Sequence, residues 1–254
     1  MQVQGSIALV TGANGGIGQY YIQGLQAAGA NRIYAGARNP DSLKDIAATD
    51  PDRIIPIPLD ITDEVSVKAA AESCSDVNLL INNAGVGFNQ RLVAEINFDK
   101  VRSEIEVNYL GTLRMSLAFA PVLKANGREA IVSGGTTSCI VNMLTMLAKV
   151  NFPLNASYCA SKAAALLVTQ GIRAELASQK TLVVGVMPGT VDTGMSKNFP
   201  PPKVAPEEVV RAALQAVIDE VEDVYPGEQA QQMQAQLLQD PKAVEKWMAA
   251  VVAS

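Results

Sequence analysis

A glycine-rich turn near the N-terminus constrains the fold of this chain more than any other feature. It reads TGANGGIG over residues 11–18, after a short apolar run and before a segment with apolar residues at helical spacing. Gly12 would permit a tight turn, Gly16 would let backbone amides approach an anion, and Gly18 would let a helix pack closely on a sheet. The helix N-terminus would add unpaired N–H groups and a favourable dipole. We therefore expect a pyrophosphate, and hence a dinucleotide, to bind at this turn.

The order of apolar segments predicts a parallel sheet covered by helices on both faces. Continuously apolar, β-branched runs alternate with longer segments of helical spacing, as expected for strands joined by crossover helices. The predicted strands are Ser6–Thr11, Arg32–Ala37, Ile54–Leu59, Val77–Asn82, Thr181–Met187 and Asp223–Tyr225, and the predicted helices are Gly16–Gly29, Asp63–Cys74, Phe98–Lys124, Ser157–Ser178, Pro206–Glu220 and Gln229–Val252. We expect an α/β fold with a doubly wound parallel sheet (Rossmann fold), in a single domain over residues 1–254 whose polar, glutamine-rich helical tail spans about residues 228–254.

Composition excludes several kinds of site. The 254 residues include no histidine, which removes Ser-His-Asp catalysis, histidine-ligated zinc and an imidazole base. A net charge of −5 argues against nucleic-acid binding. Cys74, Cys139 and Cys159 lack CxxC spacing, so we expect neither disulfides nor a metal site. No apolar run is long enough to span a bilayer and no secretory signal is evident, so we expect a cytoplasmic protein with no membrane partner.

The end of the second predicted strand bears on which dinucleotide binds. A carboxylate there would bind the 2′-hydroxyl of the adenine ribose, whereas a basic residue would accept a 2′-phosphate. The strand ends in Ala37-Arg38-Asn39, without an acidic residue, and a guanidinium suits a phosphate. Arg38 therefore favours NADP(H). The alternative is that Arg38 is a solvated surface charge and that Asp41 supplies a carboxylate, but Asp41 follows Pro40 and better fits a helix cap.

Several short motifs resemble the short-chain dehydrogenase/reductase family over nearly the whole chain, in particular its single-domain branch. These motifs are the turn at Thr11–Gly18, Asp60-Ile61, Asn82-Asn83-Ala84-Gly85, Asn108, Tyr158-Cys159-Ala160-Ser161-Lys162 and Pro188-Gly189. The resemblance implies an oxidoreductase that uses NADP(H) to reduce a ketone or aldehyde to an alcohol, or catalyses the reverse, by hydride transfer. It also implies a homodimer or homotetramer.

Tyr158 and Lys162 stand four residues apart in a helical segment and so share one face. A tyrosine hydroxyl has an ordinary pKa of about 10, and a nearby ammonium favours the phenolate and lowers that pKa. In the family that this chain resembles, the tyrosine protonates the carbonyl oxygen and the lysine also holds the nicotinamide ribose. We therefore expect both residues to be catalytic.

The third catalytic position, a serine in that family, is left open by the sequence. Counting back 13 residues from the tyrosine reaches Thr145, directly after Ser138–Leu144, which resembles the family's fifth strand. A rival strand, Ala130–Ser133, would instead offer Thr136 or Ser138. We favour Thr145, whose hydroxyl can donate and accept as that of a serine does.

The resemblance also assigns the remaining site residues. Asn108 would be a fourth catalytic residue, holding a water that links the lysine to solvent. The expected cofactor-binding residues are Gly12, Asn14, Gly16, Ile17, Gly18, Arg38, Asp60, Ile61, Asn82, Ala84, Gly85, Tyr158, Lys162, Pro188, Gly189, Val191 and Thr193. The alternative to an enzyme is a non-catalytic NADP(H)-binding sensor or scaffold, which the threonine replacement and the glutamine-rich tail would favour.

Overall fold

A computed structural model describes residues 1–94, 96–127 and 136–250 of the chain. Within these residues, one parallel sheet contains β1 (Ile7–Thr11), β2 (Arg32–Ala37), β3 (Ile54–Pro58), β4 (Leu79–Asn82), β5 (Ser138–Met143), β6 (Thr181–Val186) and β7 (Asp223–Val224). The strand order is β3-β2-β1-β4-β5-β6-β7. The chain crosses from β3 to the far side of β1 to begin β4, so the switch point at which open α/β sheets bind ligands lies between β1 and β4.

Helices cover both faces of this sheet. They are α1 (Ile17–Ala27), α2 (Lys44–Ala47), α3 (Glu64–Ser73), α4 (Phe98–Glu104), α5 (Thr112–Asn126), α6 (Ala156–Leu176), α7 (Pro206–Asp219), α8 (Glu228–Gln239) and α9 (Pro241–Ala249). Side chains alternate across a strand, so Ala8 and Val10 pack in the core beneath α1 and α7, whereas Leu9 packs in the core beneath α3, α5 and α6. The predicted doubly wound parallel sheet is confirmed.

A third apolar cluster, here called the C-terminal core, joins α8 and α9 to the loop that follows β5. Its buried members are Leu144, Met146, Ala148, Val150, Ala165, Leu166, Met187, Ala230, Met233, Val244 and Met248. The tail is therefore packed against the carboxyl end of the sheet. Among the described residues, no helix combines the length and the apolar character needed to cross a membrane.

Two predicted helices are interrupted in the structure. A π-helical turn at Ile105–Gly111 separates α4 from α5, where the sequence predicts one helix over Phe98–Lys124. The tail, predicted as one helix, breaks between α8 and α9 because proline at position 241 lacks an N–H. The side chain of Asp240 restarts the helix by accepting a hydrogen bond from the N–H of Ala243 at 2.9 Å.

Candidate active site

A cleft of about 750 Å³ opens at the carboxyl edge of the sheet, over the switch point. On the β2–β3 side its lining includes Arg38 and Asp60, and on the β5–β6 side it includes Thr145 and Pro188. The predicted residues that line it are Gly12, Asn14, Gly16, Ile17, Arg38, Asp60, Ile61, Ala84, Gly85, Thr145, Tyr158, Lys162, Pro188, Gly189, Val191 and Thr193. The fold therefore gathers segments from distant parts of the chain, Gly12 and Thr193 among them, around one space.

The glycine turn is shaped to leave backbone exposed to the cleft. Gly16 has φ +49°, and a Cβ there would meet nothing closer than Thr193 at 3.9 Å, so it would project into open space. Gly18 lies behind the turn, where a Cβ would stand 2.2 Å from the carbonyl oxygen of Gly12. That approach explains why the helix can begin so close to β1. The turn therefore has the shape of a cradle for an anionic group at the N-terminus of α1.

Asn83 holds this turn against β4. Its side-chain amide donates hydrogen bonds to the carbonyl oxygens of Thr11 at 3.0 Å and Gly12 at 3.2 Å. The hydroxyl of Thr11 in return accepts from the backbone N–H groups of Asn83 and Ala84, each at 3.0 Å. These bonds fix the two strand ends on either side of the switch point.

The placement of Asn82 differs from the prediction. Its side chain is buried and donates to Oδ1 of Asn142 at 2.9 Å and to the hydroxyl of Ser116 at 3.2 Å, and it does not line the cleft. Because successive strand residues point to opposite faces, Asn82 ties β4 to β5 within the core while Asn83 faces the cleft. Asn83 was not among the predicted cofactor-binding residues.

At the β2–β3 side, Arg38 lines the cleft and Asp41 does not. Asp41 is exposed and pairs with Lys44 at 3.0 Å, and Asn39 caps the short helix by accepting from the N–H of Asp41 at 3.1 Å. The structure thus corrects the expectation that Asp41 is the cap. Arg38 is the residue of this segment placed to reach a ligand.

Asp60 lines the β2–β3 side of the cleft together with Arg38. Its carboxylate accepts from the N–H of Thr62 at 2.9 Å and from the Thr62 hydroxyl at 2.7 Å. Burial opposes ionisation, but these hydrogen bonds and the charges of Arg38 and Arg114 outweigh it, so the pKa of Asp60 lies below its ordinary value. The group is therefore an acceptor at neutral pH, as binding an adenine amine requires.

Lys162 is buried beneath the loop after β4, one helical turn from Tyr158. Its Nζ donates to the carbonyl oxygen of Met143 at 2.7 Å and lies 5.9 Å from the centre of the Tyr158 ring. A Cβ on Gly85 would stand 3.4 Å from that Nζ, and one on Gly87 would stand 3.1 Å from Cδ2 of the tyrosine. The glycines therefore let the loop lie directly over both side chains. Burial lowers the pKa of Lys162 to about 8.

The pKa of Tyr158 is raised, whereas the sequence predicted that the neighbouring lysine would lower it. Desolvation raises it above its ordinary value, and the negative charges of the Cys159 thiolate form and of Glu104 add to the rise. Nζ of Lys162 bonds to the Met143 carbonyl and not to the phenol oxygen. Without a bound ligand, Tyr158 is thus a neutral phenol, which is the form that donates a proton.

Thr145 is the candidate for the third catalytic position that the fold brings to the cleft. It follows β5 and caps a short 3₁₀ helix, where its hydroxyl accepts from the N–H of Leu147 at 3.3 Å and donates to the carbonyl oxygen of Pro188 at 3.4 Å. Ser138 begins β5 and bonds to Thr181 at 2.8 Å, at the opposite edge of the sheet.

Thr136, the other alternative, also lies at that opposite edge. It binds the N-terminal ammonium at 3.1 Å and Glu220 at 2.5 Å. The rival strand Ala130–Ser133 falls outside the described residues. In the described structure, β5 pairs with β4 on one side and β6 on the other.

Asn108 lies behind the cleft, within the π-helical turn. Its side-chain amide donates to the carbonyl oxygen of Val86 at 2.8 Å and to the hydroxyl of Ser161 at 2.9 Å, while its Oδ1 accepts from the N–H of Val86 at 2.9 Å. Through these bonds Asn108 connects the loop over the cleft to the helix that carries Tyr158 and Lys162.

Several lining residues were not predicted. They are Gln229, Met233, Trp247 and Met248, all from the tail. Asn155 is buried, and its Oδ1 has no hydrogen-bond partner among the described residues. The tail residues belong to no motif, and the signal that could have found them is the four-residue spacing of Val244 and Met248, which indicates a buried helix face.

A doubly wound sheet with a glycine turn at its switch point defines a Rossmann-type dinucleotide-binding protein. A short chain dehydrogenase family model matches residues 6–203, so the chain belongs to the short-chain dehydrogenase/reductase family of oxidoreductases.

Individual relatives agree with this family. The chain is 30% identical over 222 residues to an uncharacterized oxidoreductase of Staphylococcus aureus strain MRSA252, covering 83% of this chain and 90% of that protein. A short chain dehydrogenase from Burkholderia cenocepacia, solved in complex with NADP, is 42% identical with a TM-score of 0.89, covering 98% of this chain and 99% of the other. An NADPH-bound carbonyl reductase from chicken fatty liver is 28% identical with a TM-score of 0.75, covering 84% and 91%.

Proposed function

We propose that this oxidoreductase uses NADP(H) to reduce a ketone or aldehyde to the alcohol, or to catalyse the reverse, with Tyr158 as the acid and base. The observation that carries the proposal is that one cleft brings together Tyr158, Lys162 and Thr145, with Arg38 on its other side. A proton donor, a hydrogen-bond donor and a buried cation at one point form a site suited to carbonyl reduction.

The residues present fit NADP(H). The open cradle at Gly16 accommodates a pyrophosphate at the N-terminus of α1, and Arg38 offers a planar guanidinium where a 2′-phosphate would lie. The NADP and NADPH bound to the solved relatives support the same choice. When bound, the reduced cofactor supplies the hydride.

The chain's own residues handle the oxygen of the substrate. Tyr158 is a neutral phenol near neutral pH, and burial raises its pKa further, so it holds a proton for the carbonyl oxygen. The hydroxyl of Thr145, turned from the Pro188 carbonyl, donates a second hydrogen bond to that oxygen. Lys162, anchored on Met143, places a positive charge beside the phenol and favours its ionised form once the proton has left. A protonated Tyr158 favours reduction of the carbonyl near neutral pH, and a rising pH favours oxidation of the alcohol.

The described structure supports a single catalytic unit in preference to a core domain with an independent tail. The C-terminal core is shared by α8, α9 and the loop that carries Thr145, so the tail cannot leave without uncovering that loop. A scaffold would instead need a tail with a binding surface that faces solvent. Here Met233 and Met248 are buried and line the cleft.

The test is the oxidation of NADPH, followed by its absorbance, with a panel of ketones and aldehydes. We expect Tyr158→Phe to lower kcat by about three orders of magnitude while the Kd for NADPH stays within about threefold. Tyr109→Phe, at a half-buried tyrosine that does not line the cleft, serves as the control and should retain full activity. Full activity in Tyr158→Phe would overturn the mechanism. NADPH binding without turnover of any carbonyl compound would favour the sensor or scaffold.

A further inference from the structure

The two C-terminal helices supply one wall of the cleft. Met233 on α8 and Trp247 and Met248 on α9 line it together with Gln229 at the start of α8. The family model ends at residue 203, so this wall comes from a part of the chain that the model does not match. A wall outside the shared segment is where selectivity between substrates can differ from one relative to another.

This wall is fastened to the catalytic loops by polar contacts as well as by the C-terminal core. The side-chain oxygen of Gln229 accepts from the N–H of Thr190 at 3.2 Å. Lys149 bonds through its Nζ to the hydroxyl of Tyr225 at 3.1 Å and to Gln234 at 2.7 Å. The contacts connect α8 to the loop after β6 and to the loop after Thr145. The wall is therefore positioned by the same elements that position the reacting groups.

The chemistry of the lining differs between the two sides of the cleft. Among the described residues, the charged lining groups are Arg38, Asp60 and Lys162. Arg38 and Asp60 lie on the β2–β3 side, and Lys162 donates a hydrogen bond to the Met143 carbonyl. The described lining near Thr145 and the C-terminal wall is instead largely apolar, and comprises Leu144, Met146, Leu147, Phe152, Met195, Phe199, Met233, Trp247 and Met248.

Such a lining favours an apolar substituent and disfavours an ionised one. A carboxylate or phosphate brought against its buried members, Met146, Met233 and Met248, would lose water and would gain no cation from the described lining there. Phe152 and Phe199, which come from different loops, pack with their ring centres 6.5 Å apart and extend the apolar surface beyond the wall.

We propose, on the basis of the carbonyl reduction proposed above, that the substrate is an uncharged ketone with a long or bulky apolar substituent packed against Met233 and Trp247. Ketones that carry a carboxylate or phosphate at the far end of that substituent are rejected. Selection acts through the wall and leaves the proton transfer at Tyr158 unchanged.

Trp247 makes the site directly observable because it is the single tryptophan of the chain. In the complex with NADP⁺, where no hydride is available, methyl hexyl ketone should change the tryptophan emission saturably. An analogue whose terminal methyl group is replaced by a carboxylate should bind more weakly by a factor of about ten or more. Acetone at matched concentrations corrects for collisional quenching. Equal binding of the ketone and its carboxylate analogue would overturn the proposal.

Variants of the wall test selection in turnover. Met233→Ala and Trp247→Ala should each lower kcat/KM for methyl hexyl ketone about tenfold and leave that for acetone within about twofold. Leu238→Ala is the matched control and should change neither value, because Leu238 lies on α8 with Met233 and is 78% exposed. Met233→Arg should raise kcat/KM for the carboxylate analogue. Equal losses for both ketones in the two alanine variants would contradict selection by the wall.

The proposed reaction and the proposed selectivity fail in different ways. Saturable binding of methyl hexyl ketone without oxidation of NADPH by any ketone would overturn the reaction and support the apolar site. Turnover that depends on Tyr158 but does not distinguish the ketone from its carboxylate analogue would support the reaction and overturn the selectivity.

Discussion

Nζ of Lys162 lies 2.7 Å from the carbonyl oxygen of Met143, the last residue of β5. This bond joins the helix that carries Tyr158 to the strand that leads into Thr145. It also holds a cation in a position that is only 4% exposed. The catalytic arrangement is therefore built at a cost in stability, since a buried ammonium loses its hydration.

Replacement of Lys162 by methionine should show that cost. The pKa of Lys162 in the folded chain, about 8, lies below the ordinary 10.5, so near neutral pH the charge destabilises the folded state. We expect Lys162→Met to raise the free energy of unfolding by about 2 kcal/mol near neutral pH while abolishing activity.

The pH dependence supplies the decisive comparison. Between about pH 8 and 10.5 the folded wild-type chain releases this proton and the unfolded chain retains it. The free energy of unfolding of the wild type therefore rises with pH, and the advantage of the variant becomes smaller. Urea unfolding at several pH values measures this difference. Lys124→Met, at an exposed lysine, should show no such dependence. A variant less stable than wild type near neutral pH would contradict the interpretation.

Arg38 should set the choice of cofactor. Arg38→Asp removes the guanidinium and offers a carboxylate to a ribose 2′-hydroxyl, so kcat/KM for NADPH relative to NADH should fall by about two orders of magnitude. Steady-state kinetics with both cofactors measure the ratio. Lys44→Asp changes an exposed charge nearby and should leave the ratio unaltered. An unchanged ratio in Arg38→Asp would exclude a role for this residue at the 2′-phosphate.

Thr145 should act through its hydroxyl. Thr145→Val keeps the shape of the side chain but removes the donor, and we expect kcat to fall by about two orders of magnitude or more. Thr145→Ser should retain activity. Because the hydroxyl also caps a short helix, the valine variant should lose about 1 kcal/mol of stability. Thr136→Val and Ser138→Ala, at the opposite edge of the sheet, are the controls, and a rate loss in either that exceeds the loss in Thr145→Val would reassign the position.

Gly18 should tolerate no side chain. A Cβ there would lie 2.2 Å from the carbonyl oxygen of Gly12 and 2.9 Å from Cα of Ala13, both backbone atoms that cannot move independently. Gly18→Ala should therefore cost about 2 kcal/mol or more and weaken NADPH binding. Gly171→Ala, in α6 with nothing within 4 Å, should instead stabilise the protein by about 0.5–1 kcal/mol. Thermal unfolding and NADPH titration of both variants test the comparison.

Local patterns predicted the parts of the site that lie within one element or one turn. The glycine turn is specified by neighbours along the chain, since its tight bend and the close start of α1 need glycine at set positions. Arg38 follows directly from the end of β2. Tyr158 and Lys162 share a face of α6 because a helix repeats about every four residues.

Features that depend on partners distant in sequence were not predictable in this way. Asn83 lies at the cleft where the sequence predicted Asn82, because the exact end of β4 decides which of the two side chains faces the cleft. The pKa of Tyr158 rises because the surrounding protein removes water from it, which the spacing to Lys162 does not reveal. The π-helical turn that holds Asn108 against Val86 likewise forms through contacts between separate segments.

The sequence by itself determined most of the order of strands and helices, the glycine turn and the tyrosine–lysine pair, because periodicity and glycine conformations act over a few residues. It left the fifth strand open between Ser138–Leu144 and Ala130–Ser133. The tertiary structure alone decided that Thr145 reaches the cleft, since this depends on β5 pairing between β4 and β6. It also decided that the glutamine-rich tail lines the cleft, because burial of Met233, Val244 and Met248 depends on packing against the rest of the chain.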